Sequence, residues 1–357
     1  MQHAAPPGRP RQPTRYTPRV LQGKRIFLTG GAGFIGTTIA GMLADANEVV
    51  LYDNLHNDAL SQTSLADHPN VTFVQGDILD EVKLKRVYFE KPEVVFHLAA
   101  FFANQNSIDH PESDLMTNGM GTLRLLEYSQ LAGVQRFVYA SSGCSIYGSA
   151  APLPLKEEFM SMHLTTPYQI TKMLGELYCN FFHNNYELPV VKARFFNSYG
   201  PGEVPGQYRN VIPNFIYWAL QCKPLPITGT GEETRDFTYV EDIADGLLRA
   251  GYYDTVVGQE MNLASGAETR IIDLANMING LTGNAAGINF SVRRKWDTKS
   301  RLLASIDRAH SLMGYTPNTT FQDGLRNTIE WFQENWKHIH DSASFEPGMS
   351  SAVRTRK

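Results

Sequence analysis

Residues 25–36, Arg-Ile-Phe-Leu-Thr-Gly-Gly-Ala-Gly-Phe-Ile-Gly, confine what this chain can fold into. A short apolar run that stops at glycines and leads into a helical pattern over 37–46 requires a tight strand-to-helix turn. A second apolar run, 48–52, ends at Asp53. Together they make a βαβ unit, and the rhythm continues with a strand at 71–75, a helix near 81–90 and a strand at 94–98. A helix from about 118 to 131 and a strand at 136–140 follow. After Thr165 comes a long helix to about 184, then a strand at 190–195. Such alternation predicts an α/β fold, a parallel sheet covered by helices on both faces. Beyond Phe195 the rhythm loosens around Pro201, Pro205, Pro213, Pro224 and Pro226, and a smaller mixed α/β domain is expected there. A strand, turn and helix at 235–250 are read as returning to the first domain.

The boundaries expected from this pattern are a doubly wound, Rossmann-type domain over 22–195, with 235–262 added to it, and a substrate domain built from 196–234 and 263–338. Residues 1–20, rich in Pro and Arg, are expected to form a disordered tail, and 340–357 a polar one. A chain of 357 residues with 42% hydrophobic content has enough apolar surface for such a core. The formal net charge of −4 offers no general polyanion-binding surface, so nucleic acid is not an expected partner. Cys144, Cys179 and Cys222 are odd in number and lack metal-ligand spacing, which points to a reducing, cytoplasmic setting with no metal. No run approaches the roughly 18 apolar residues of a membrane span.

Gly30, Gly33 and Gly36 stand where a strand turns into a helix, and there the missing side chains let backbone N–H groups approach a pyrophosphate. Asp53 follows at the next strand end, about 20 residues on, placed to accept hydrogen bonds from a ribose and to repel a 2′-phosphate. The pair implies NAD rather than NADP. The plainer alternative is a tight glycine turn beside a surface carboxylate. Asp77 and Ile78 follow the third strand, where a carboxylate can meet the adenine amine and an apolar side chain can cover the ring. Tyr168 and Lys172, four apart in a helix, share one face. An ammonium beside a phenol lowers the cost of ionising it, which a general base near neutral pH requires. Ser142, at the end of the 136–140 strand, can hydrogen-bond both a substrate oxygen and Tyr168.

At this point the residues resemble the extended short-chain dehydrogenases/reductases that act on nucleotide sugars. The resemblance runs from about Lys24 to Trp336 through TGGAGFIG (29–36), YDN (52–54), GDI (76–78), HLAA (97–100), SSGCSIYG (141–148), YQITK (168–172), ARFFNSYGPG (193–202) and RDFTYVEDIADG (235–246). It implies hydride transfer from C4 of the sugar to NAD while Tyr168 takes the 4-hydroxyl proton, with Lys172 also holding the nicotinamide ribose. It adds Phe34, Ile35, Asn54, Leu98, Ala99, Ala100 and Asn118 to the cofactor residues. On the substrate side it implies Phe102, Asn104 and Cys144 around the sugar, and Asn197, Arg235, Arg294 and Arg301 near the diphosphate. His97 is expected to be a packed strand-end residue.

Within that family, 4,6-dehydratases place an Asp-Glu pair directly after the Ser/Thr, where this chain has Gly143-Cys144-Ser145. The decarboxylases carry a Glu at the place of Ser145. Relatives that invert C3 and C5 pair a cysteine with a lysine on the loop after the GPG-like turn, and the 203–210 loop has no lysine. A 4-epimerase needs only the Ser-Tyr-Lys set and NAD, so the expected function is an NAD-dependent nucleotide-sugar 4-epimerase working through a transient 4-keto sugar. The alternatives are a dehydratase, a UDP-glucuronate-type decarboxylase, or a binding protein that has lost turnover. The helices at 118–131 and 168–184 match those that pair across the family's dimer, which implies a homodimer.

Overall fold

The computed structural model describes residues 21–293, 297 and 299–343. Its centre is a seven-stranded sheet of β1 (Arg25–Thr29), β2 (Glu48–Asp53), β3 (Val71–Gln75), β4 (Val94–His97), β5 (Arg136–Ser142), β6 (Val190–Phe195) and an edge strand, Glu260–Leu263. From that edge strand inward the order is β6, β5, β4, β1, β2, β3, every pair parallel. The order reverses between β1 and β4, and in such sheets the crevice for a ligand opens beyond the carboxyl ends of those strands.

The central strands read as unbroken apolar runs because both of their faces are covered. Ile26 and Leu28 of β1 pack with the helices Phe34–Leu43 and Val240–Tyr252. Phe27, between them, points the other way into a cluster fed by the helices Glu81–Phe89, Thr122–Ala132 and Pro167–Tyr186. The helix expected from about 118 begins earlier, at Pro111, and passes through a π-helical turn, Leu115–Gly121. Gly121 is needed there, since a Cβ would lie 2.4 Å from Ile78 Cδ1. At the far end Gly133 stops the helix with a left-handed φ of 70°.

A second apolar cluster gathers the helices Val211–Leu220, Ile271–Thr282 and Phe321–Glu334. The short parallel strands Leu225–Thr228 and Ile288–Ser291 lie against it. The last described helix, Trp336–Ser342, enters the region expected to be polar tail. It stays packed because Ile339 is fully buried and the Tyr217 hydroxyl donates to the Ala343 carbonyl at 2.8 Å. Residues 1–20 and 344–357 lie outside the described residues. Among the described residues no helix is long and apolar enough to cross a membrane.

Candidate active site

A cleft of about 1000 Å³ opens at the carboxyl ends of the sheet strands, between the two apolar clusters. At its floor the glycine turn is as tight as backbone allows. Gly30 holds φ at +71°, and a Cβ on it would lie 2.7 Å from the Ala99 nitrogen; on Gly36 it would lie 2.4 Å from the Gly30 oxygen. Gly33 precedes the helix Phe34–Leu43, which no side chain caps, so the amides of its first turn are left to a ligand. Gly33, Phe34, Ile35 and Gly36 all line the cleft, with Leu98, Ala99 and Ala100 opposite. Those features fit a dinucleotide pyrophosphate.

At the end of β2, Asp53 accepts from the Ala32 amide at 3.1 Å and the Leu55 amide at 2.8 Å. Burial raises its carboxyl above the usual range, and these two bonds oppose that rise. The carboxylate therefore ties the glycine turn to β2 while lining the cleft. Asn54 donates to Asp77 at 3.1 Å, and the Leu79 amide donates to the other Asp77 oxygen at 2.9 Å. Ile78 is buried against the π-helical turn and lines the same end.

Tyr168 and Lys172 come from the first turns of the helix Pro167–Tyr186, where Thr166 caps the Gln169 amide. The Ser107 hydroxyl accepts from the Tyr168 amide at 3.0 Å, and the Phe102 ring meets the Tyr168 ring edge-on with centroids 5.9 Å apart. Lys172 Nζ lies 5.7 Å from the Tyr168 centroid and donates to the Ala140 carbonyl at 2.9 Å. Burial pushes the Lys172 ammonium down to about 8, with Asp114 pulling the other way. Burial pushes the Tyr168 phenol well above its ordinary range; Asp114 and Cys144 add to that, and a hydrogen bond with Ser142 opposes it. Ser142 in turn bonds the Ser145 hydroxyl at 2.9 Å.

Asn118 is 1% exposed and does not line the cleft. Its amide accepts from the Phe101 nitrogen at 2.8 Å and donates to Asp114 at 2.8 Å, and Asp114 accepts from Thr171 at 2.7 Å. The network braces the wall behind Tyr168, so Asn118 acts through the Phe101 backbone. His97 bridges Thr29 at 2.8 Å and Thr122 at 2.9 Å, fully buried and held to about 3 by burial, which keeps it neutral.

Of the substrate residues expected from sequence, Phe102, Asn104, Ser142, Cys144, Asn197 and Arg235 line the cleft. Asn104 accepts from Thr166 at 2.7 Å. Cys144 Sγ and the Asn197 side-chain oxygen are 3.3 Å apart. Arg235 is held by Asp297 at 2.9 Å. Arg301 is not brought to the cleft: its guanidinium is half exposed and forked onto Glu268. Arg294 lies outside the described residues. Sequence reasoning passed over Asp114 and Lys299, noticed Ser145 only as standing where a decarboxylase has Glu, and noticed Glu203 and Arg209 only as parts of a loop. Lys299 sends Nζ to the Cys144 carbonyl at 2.5 Å across 155 residues of chain, a pairing for which no local pattern gives a signal.

The sequence matches the model of the NAD dependent epimerase/dehydratase family over residues 26–264. A UDP-glucose 4-epimerase of Mycolicibacterium smegmatis is 34% identical over 87% of this chain and 98% of its own length. A UDP-glucuronate 4-epimerase of Thermodesulfobacterium geofontis is 34% identical over 87% of this chain and 96% of its own. Among solved structures, the epimerase Mth375 from the methanogen Methanothermobacter thermautotrophicus superposes with a TM-score of 0.89 at 54% identity, covering 91% of this chain and 96% of that one. With the glycine turn, Asp53 and the Tyr168–Lys172 helix assembled around one cleft, the chain belongs to the NAD-dependent epimerase/dehydratase family.

Proposed function

We propose that this protein is a cytoplasmic, homodimeric, NAD-dependent epimerase that inverts C4 of a UDP-linked sugar through a transient 4-keto sugar. The observation that carries the reading is the composition of one small region. Ser142, Tyr168 and Lys172 meet at the cleft, and the turn beside them, Gly143-Cys144-Ser145, presents no carboxyl group. Tyr168 takes the proton of the C4 hydroxyl as the C4 hydride leaves, and Ser142 shares the phenol oxygen. The oxidised dinucleotide, when bound, supplies the hydride acceptor and a positive charge that favours the phenolate. Once the 4-keto sugar has turned its other face, Tyr168 returns the proton to the C4 oxygen, C4 takes the hydride back from the bound dinucleotide, and the hydroxyl is restored with inverted configuration. Removing a C5 proton and expelling the C6 hydroxyl, as a dehydratase must, would require acids that this turn lacks.

Support for the homodimer comes from the helix Pro167–Tyr186, which leaves Ile170, Leu177 and Phe181 about half exposed, and from Met116 and Met120 on the neighbouring π-helical turn. The experiment is incubation with UDP-glucose, UDP-N-acetylglucosamine and UDP-glucuronate, followed by NMR of the sugars. An equilibrium mixture of C4 epimers is expected for at least one of them. A stable 4-keto-6-deoxy sugar or a pentose would replace the assignment with dehydration or decarboxylation. Tyr168→Phe should lower turnover by roughly 10² to 10⁴-fold while leaving NAD bound. Undiminished turnover in that variant would remove Tyr168 from the chemistry.

A further inference from the structure

Among the described residues, four cationic side chains line the cleft: Lys172, Arg209, Arg235 and Lys299. Lys172 belongs to Tyr168. The Arg209 guanidinium makes no hydrogen bond or ion pair within bonding distance among the described residues, though Glu203 acts on it from further off, and Arg235 lines the same cleft, steadied by Asp297. Two guanidinium forks suit the two phosphates of a nucleotide diphosphate. Lys299 is then left over, and its surroundings are unusual for an ammonium.

Its Nζ donates to the main-chain carbonyls of Cys144 at 2.5 Å and Ser145 at 3.5 Å. No carboxylate among the described residues lies within ion-pair distance of it, since Asp297 is taken by Arg235 and the nearby Glu233 by Arg293 at 3.5 Å. Burial pushes the ammonium down to about 8. Asp297 acts on it only from beyond ion-pair distance, so a point charge so placed, with donor capacity to spare, has room for an anion in direct contact. Its position says which anion fits. Cys144 and Ser145 belong to the turn that follows Ser142, and the Ser145 hydroxyl bonds Ser142 itself. When Ser142 and Tyr168 hold the C4 hydroxyl, a group fixed to that turn meets a ring position next to C4. In a hexose the two neighbours are C3, whose hydroxyl is neutral, and C5, which carries C6; only the C5 side can present an anion.

We propose that Lys299 is a specificity-determining residue that pairs with a carboxylate at C6, so that the preferred substrate of this cleft is a nucleotide-linked uronic acid. The inference rests on the 4-epimerase reading for the orientation of the sugar. Lys299 takes no part in the hydride and proton transfers.

The test uses NAD-loaded Tyr168→Phe protein, in which turnover is blocked, and measures calorimetric Kd values for UDP-glucuronate and UDP-glucose, which differ only at C6. The uronate is expected to bind at least about tenfold more tightly, as a charged hydrogen bond provides. Adding Lys299→Met should bring the ratio of the two Kd values close to one, and Lys299→Arg should keep part of it. A parent protein that prefers neither sugar, or a Lys299→Met ratio equal to the parent's because both affinities fall together, would overturn the assignment and make Lys299 a diphosphate contact or a wall residue. Solvent deuterium appearing at C5 with wild-type protein would make Lys299 a proton carrier and overturn it too. Failure of the 4-epimerase reading is seen separately, as absence of C4 inversion by the wild type.

Discussion

Glu203 is the residue whose chemistry departs furthest from what its position in a loop suggests. It is 2% exposed, its Oε1 accepts from Asn210 at 2.7 Å, and its Oε2 has no hydrogen-bond partner. Burial pushes its carboxyl up to about 7 from the ordinary 4.5, with Arg209 and Asn210 opposing. The unfolded chain ionises this group near pH 4.5 and the folded protein near 7, so the folded state keeps a proton that the unfolded state has released. Stability therefore falls as pH rises from about 4.5 to about 7, and stays lowered above that. Glu203→Gln should unfold at higher urea than wild type at pH 8, by up to about 3 kcal/mol at roughly 1.36 kcal/mol per pH unit, and should match it near pH 4. Equal differences at both pH values would mean that another group titrates.

At the scale of elements, the helix that carries Tyr168 and Lys172 is bolted to the sheet by one ion pair. Glu176 on that helix and Arg194 on β6 are each 1% exposed, joined at 2.7 Å and 2.9 Å. Ser141 of β5 donates to the same carboxylate at 2.5 Å, and Arg194 also donates to Tyr147 at 2.9 Å. Arg194→Met would strand a buried carboxylate and should cost about 3–5 kcal/mol of unfolding free energy. The double change Arg194→Met with Glu176→Leu should recover most of that loss in the same denaturation experiment, because no uncompensated charge remains. A single variant as stable as wild type would show that the helix is held by its apolar contacts alone.

For the whole molecule, three of the exposed apolar residues share one face of the helix Pro167–Tyr186: Ile170, Leu177 and Phe181 are 53%, 48% and 46% exposed and are spaced seven and four apart. A second copy of the chain would cover them. Sedimentation should find a particle of twice the 40.0 kDa chain mass. Leu177→Lys with Phe181→Lys should reduce it to one chain mass, since both charges would have to be buried without partners. A wild-type particle of single chain mass at working concentration would exclude the dimer.

What the sequence determined by itself was whatever depends on neighbours in the chain. The order of strands and helices through β6 follows from periodicity, because a strand covered on both faces must be apolar throughout. The glycine turn follows from Gly30 and Gly36, because no side chain fits where their Cβ atoms would stand. Periodicity also placed Tyr168 and Lys172 on one helical face. What depends on distant parts of the chain was decided only by the tertiary structure. The sequence assigned Arg235 to the anion and held Arg294 and Arg301 as further candidates; folding put Arg235 in the cleft beside Asp297 and Arg301 on the surface with Glu268. Asn118, expected among the cofactor residues, is buried with its amide bonded to the Phe101 backbone and to Asp114, partners that no local pattern announces. Lys299 meets the Cys144 carbonyl across 155 residues of chain, and a contact over such a span leaves no periodic trace in the sequence.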